Sequence, residues 1–160
     1  MPDLPKAEQI SVAAETLLRT VSIANGYNFD YVNLDANHEV RVTEALSQVN
    51  DFPRLYLPGD DEGPAGAFTA GIVETTKDER EVKLLVVGYV ETEESDTALN
   101  KVRQDIERVI FSGAKTLGLT FVTALVPTTV EKWQDPNVGS NRAAIVVTFV
   151  ATYRYTRGDP

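Results

Sequence analysis

Apolar and polar positions alternate with two different periods along this chain, and the changes of period mark its elements. From Lys6 to Val21, the residues Ile10, Ala13, Ala14, Leu17, Leu18 and Val21 recur at helical spacing. That spacing gathers them into one stripe and predicts an amphipathic helix. Glu8 sits near the end where the helix dipole favours an acid, and Arg19 sits near the other. Asn25-Gly26 follows, a pair suited to the left-handed backbone of a helix cap or tight turn. Val32 and Leu34, then Val40 and Val42, predict two short strands on either side of Asp35 to His38. Arg54-Leu55-Tyr56-Leu57 predicts another, entered through Phe52-Pro53 and ended by Pro58-Gly59, because proline suits a first strand residue or an edge.

The middle of the chain carries the strongest pattern. Phe68, Ala70 and Ile72 alternate with Thr69, Gly71 and Val73, predicting a strand that turns through Thr75 to Arg80 into a hairpin with Val82 to Val90. Leu84 to Val90 is apolar at both alternating positions, as in a central strand covered on both sides. After Glu91-Thr92-Glu93-Glu94, either Ser95 or Asp96 can cap a helix. Leu99, Val102, Ile106, Val109 and Ile110 form its sheet-facing stripe, and Gly113 and Gly118 bracket its end. Phe121 to Val126 predicts a strand stopped by Pro127, and Thr128 to Ser140 a polar connection holding the only tryptophan, Trp133. Ala143 to Tyr155 alternates as a long last strand.

Strands therefore outnumber helices without strict alternation. The expected fold is one α+β domain over residues 1–160. It has a mainly antiparallel or mixed sheet of about four to six strands, with two helices packed on one face. Two helices cover one face only. The second face, with Val146 and Val150 added to the Leu84–Val90 run, needs a further cover. Either a strand layer of the same chain or another subunit can supply it.

Composition narrows the chemistry. The absence of cysteine excludes disulfides and thiolate metal sites, and a lone histidine, His38, leaves little for zinc or a histidine-dependent pair. No cofactor and no metal are expected, and no enzyme. Residues 1–6 lack the pattern of a signal sequence and no apolar run approaches a membrane span, so a soluble protein of the producing cell's cytoplasm is expected. The formal net charge of −9 disfavours nucleic-acid binding. Asp60, Asp61 and Glu62 lie in a glycine- and proline-rich stretch, Gly59 to Gly66, that reads as an acidic loop. It lacks the lysine and hydroxyl residue of a phosphate loop and the spaced ligands of a calcium loop. Glu91, Glu93, Glu94 and Asp96 read as an acidic lead-in to a helix. Arg154, Arg157 and Asp159 read as a polar tip available for ion pairs between subunits.

Three segments taken in order resemble the tail terminator (tail completion) proteins of long-tailed bacteriophages. Thr20 to Asn28 is similar to their opening helix end and turn. Phe52-Pro53-Arg54-Leu55-Tyr56-Leu57, with Gly59 and acids after it, looks like their Phe-Pro strand. A last strand ending in aromatics before Thr156-Arg157-Gly158-Asp159-Pro160 looks like their C-terminus. The resemblance implies a non-enzymatic virion protein, assembled in the host cytoplasm, that forms a ring, commonly hexameric, on the head-proximal end of the tail tube. Its partners would be copies of itself, the tail tube protein and the head-completion or connector protein, with DNA passing through the bore unbound. On that expectation Asp60, Asp61 and Glu62 face the bore, while Val86, Tyr89, Val146, Val150, Arg154, Tyr155 and Arg157 contribute to the subunit interface. Another ring of the head–tail neck, or a small ligand-binding domain, are the competing readings.

Overall fold

A computed structural model describes residues 4–31, 34–36, 52–57, 61–64, 79–135 and 139–154. The elements run α1 (Lys6–Leu18), β1 (Leu34–Ala36), β2 (Arg54–Leu57), β3 (Asp61–Pro64), β4 (Glu79–Glu91), α2 (Ser95–Ile110), β5 (Val122–Gln134) and β6 (Arg142–Arg154). The described residues are thus α+β, with two α-helices and a sheet whose long strands are antiparallel.

The body of that sheet is three strands of 13 residues each, β4, β6 and β5. β4 and β6 pair antiparallel over their full length, from Glu79 opposite Arg154 to Glu91 opposite Arg142. β5 takes the free edge of β6. Along the other edge of β4, β2 pairs at one end and β3 at the other, and β1 lies parallel to β2. The order is β1-β2-β4-β6-β5.

Alternation explains where the core sits. Val82, Leu84, Val86 and Val90 of β4 pack with Ala143, Ile145, Val147, Phe149 and Ala151 of β6 and with both helices. α1 contributes Ile10, Ala14 and Leu18 to this core, and α2 contributes Leu99, Val102 and Ile106. Gly88 sits where α2 crosses β4, and a Cβ there would overlap the Cγ1 of Val102. The helix approaches this closely because one strand residue has no side chain.

Several boundaries differ from expectation, each for a physical reason. Glu94, with no side-chain capping bond, holds the N-cap of α2. The two predicted caps fall inside the first turn, where Lys132 of β5 binds Asp96 at 2.8 Å and Gln134 reaches Ser95 at 3.3 Å. β4 starts at Glu79, inside the turn expected over Thr75 to Arg80, because β6 offers partners down to Arg154. Pro127 does not stop β5. It lies on an edge strand beside a register shift between Pro127 and Thr129, where a missing N–H costs no interior ladder bond. Asp61 and Glu62 are not loop residues; they pair with Lys83 and Val82 as part of β3. The strands expected over Val40–Val42 and Phe68–Val73 lie outside the described residues. Among the described residues, no helix is long and apolar enough to cross a membrane.

Candidate functional site

Two polar constructions stand out against this framework. The first is a buried staple. Asp105 points inward from α2 and is almost fully buried. Its Oδ1 accepts the backbone N–H and the side-chain amide of Asn28, both at 2.9 Å, and its Oδ2 accepts the Tyr31 hydroxyl at 3.0 Å. Burial, then the charge of Asp105 and the hydrogen bond to it, push the Tyr31 phenol well above its ordinary value. Arg108, one helical turn on, donates to the Gly26 carbonyl at 2.6 Å and lies over the Tyr27 ring. Gly26 adopts a φ of 89°, the left-handed turn that the Asn25-Gly26 pair predicts. These contacts fasten the segment after α1 onto α2. Their donors and acceptors are satisfied within the chain, which marks a structural device.

The second construction is open to solvent. A cleft of about 250 Å³ lies where β4 ends and α2 begins. Phe29, Phe52, Pro53 and Val90 supply its apolar surface, with Glu94 and Lys101 on its rim. Each wall is held. Phe29 stacks edge-on against Tyr31 at 6.0 Å, and Tyr31 is tied to Asp105. Phe52 lies under the Arg142 guanidinium at 5.3 Å, and Arg142 is bound to Glu91 at 2.9 Å. Thr92 donates its N–H to the Asn141 carbonyl at 2.9 Å, closing the end of the β4–β6 ladder. Glu94 and Lys101 are exposed, and among the described residues their side chains meet no hydrogen-bond or ion-pair partner. An apolar floor with an exposed acid and an exposed cation on its rim can seat a long side chain and select its charge.

The residues singled out from sequence do not converge. Val86 faces the helices in the main core. Tyr89 and Val146 lie on the opposite sheet face in a second cluster with Val87 and Ala144, against which Phe52 and Leu85 pack. Val150, like the other three, is already buried in the isolated chain. These four are thus core residues of the single chain, and burial of Tyr89 and Val146 within it accords with the first of the two covers expected for that face, one supplied by the same chain. Arg154 closes β6 in an exposed position. Tyr155, Arg157, Asp60 and His38 lie outside the described residues. Among the described residues, no group of three or more histidine, cysteine, aspartate or glutamate side chains could hold a metal ion. The cleft has no pattern of its own in the sequence because its walls come from four separate stretches. Its one sequence signal was Phe52-Pro53, read there only as a strand entrance.

No known family model matches the chain, and no curated protein matches it significantly.

Proposed function

We propose that this chain is a non-catalytic phage assembly protein that closes as a ring, hexameric in the first instance, on the head-proximal end of a long tail tube. There it stops tube growth and presents the surface joined by the head connector. The observation that carries this reading is the order of three segments: the helix end and turn Thr20 to Asn28, the Phe52-Pro53 strand, and the last strand running into Thr156 to Pro160. Two further features support it. β5 is the outer strand of the sheet, and from Glu131 to Gln134 it is exposed, a surface on which a neighbour can build. Each copy carries a formal charge of −9, so a ring of six multiplies a field that repels DNA from the bore wall. The subunit of such a ring is a mixed sheet of about four to six strands with both helices on one face. Asp60, Asp61 and Glu62 are its candidate bore residues.

Tail-tube polymerisation in the presence of the purified protein tests the reading. Tubes of fixed length, capped at one end in electron micrographs, are the expected result. Tubes that grow on while DNA-filled heads become sealed would move the protein to a neighbouring ring of the neck. Unlimited tubes and leaking heads together would end the assembly reading.

A further inference from the structure

The cleft beside Phe52 and the residues beyond β6 carry inverse charge patterns. On the cleft, Glu94 is followed by Lys101 two helical turns on, about 10 Å away. Beyond β6 the chain reads Arg157-Gly158-Asp159, a cation followed by an acid. Any three-residue segment that docks in extended form spans about 7 Å from its first residue to its third, and two charged side chains can reach across the remainder. The walls also favour a guanidinium, which lies well on aromatic faces. This chain already builds that contact twice, with Arg142 over Phe52 at 5.3 Å and Arg108 over Tyr27 at 4.8 Å. The volume of about 250 Å³ falls below the roughly 300 Å³ where small-molecule pockets begin. It suits one long side chain as an anchor.

A chain cannot place this segment in its own cleft. β6 starts at Arg142, beside the cleft, and its 13 residues carry the chain roughly 40 Å away to Arg154. Asp159 is only five residues further on, a reach of at most about 18 Å. The geometry points to a second copy as the occupant. Arg157 of one copy enters the cleft of the next, against Phe29 and Glu94, while Asp159 meets Lys101. The cleft and the departure point of the segment sit at opposite ends of β6, so the contact is head-to-tail. Such contacts close into rings or run on as filaments. The inference deepens the ring reading by naming the contact between subunits.

A charge exchange on the full-length protein tests it, read by sedimentation velocity across concentrations. The wild type should self-associate. Glu94→Arg and Arg157→Glu should each weaken association at least about tenfold, and the double variant should recover most of the loss. Glu94 is exposed, and unchanged melting temperatures would confirm that folding is intact. A second exchange, Lys101→Glu with Asp159→Lys, should follow the same pattern. A wild type that stays monomeric to several hundred micromolar (on the order of the concentration at which weak pairs form) overturns the contact. So do single variants that associate like the wild type. Tube-length arrest is scored separately: single variants that associate and cap tubes normally remove this contact and leave the ring standing, whereas capping lost in every protein removes the ring.

Discussion

β6 and β5 are neighbours of equal length that share one ladder, yet they obey different rules. β6 is buried at eleven consecutive positions, Ala143 to Tyr153; β4 and β5 take its two edges and the helices pack on one of its faces. β5 is buried only at Val122 and Leu125, and its last four residues are exposed. Backbone pairing is similar in both; side-chain burial is not. The contrast shows that a strand can be specified by its partner's ladder alone. β5 accepts Pro127, two register shifts and a run of polar residues because it is an edge. β6 accepts none of these.

Replacing one buried side chain on β6 should give the sharpest version of that contrast. Phe149 is fully buried and meets Phe111 edge-on at 5.6 Å. Phe149→Ala should cost about 3–5 kcal/mol in urea unfolding, enough to consume a large part of the stability of an ordinary domain. A loss under about 1 kcal/mol would mean that the β6 core is far looser than its burial implies.

The crossing of α2 over β4 comes next. Gly88→Ala drives a methyl group into Val102, a β-branched residue with little rotamer freedom. The expected loss is about 1–3 kcal/mol. Gly88→Ala combined with Val102→Ala should recover part of it, since the second change removes the clashing methyl. Simple additivity would place the strain elsewhere.

A smaller effect tests the staple that fixes the Phe29 wall of the cleft. Tyr31→Phe removes the hydroxyl bond to Asp105 and should cost about 0.5–1.5 kcal/mol near neutral pH. Burial raises the phenol of the folded protein above its unfolded value, so the folded state holds the proton more tightly. That contribution is complete below about pH 10, where the unfolded phenol is still protonated. It is lost as pH rises beyond that point. The gap between wild type and Tyr31→Phe in urea midpoints should therefore narrow above about pH 10. A gap that widens would contradict the burial.

Legibility from sequence followed the same division as the strands. Leu84 to Val90 was readable because both alternating positions are apolar, and Ala143 to Tyr155 because its apolar positions alternate; the structure pairs the strands they fall in, β4 and β6, over 13 residues up to Arg154. α1 and α2 were readable from their stripes, and Gly26 from its turn. β5 beyond Val126 was not readable. Thr128 to Gln134 lacks an apolar alternation, and its strand form comes from the ladder with β6. β3 is similar: Asp61-Glu62-Gly63-Pro64 reads as a loop, and β4 makes it a strand. The cleft was the least legible feature, since Phe29, Phe52, Val90 and Lys101 become neighbours only after folding. Burial of Val87, Tyr89 and Val146 within the chain was only half legible, because counting helices showed that this face needs a cover without saying which part of the protein supplies it.

Trp133 offers the mildest test and the most direct view of the edge. It lies on β5 opposite Ala144, with 38% of its surface exposed. Trp133→Thr keeps strand propensity but gives up the covered part of the ring, so it should cost about 1 kcal/mol, well below Phe149→Ala. As the only tryptophan it also reports on its own surroundings. Dilute protein should show emission between that of a buried and a wet indole, still open to acrylamide, with a further red shift on unfolding. If β5 is the edge on which a neighbour builds, concentrating the protein should shift the emission to the blue and protect it from quenching. The Arg157 contact, by comparison, lies at the far rim of the same end of the sheet. A blue shift that persists in Arg157→Glu would therefore assign β5 a contact of its own, and one that vanishes with it would show that the edge closes only after the cleft is filled.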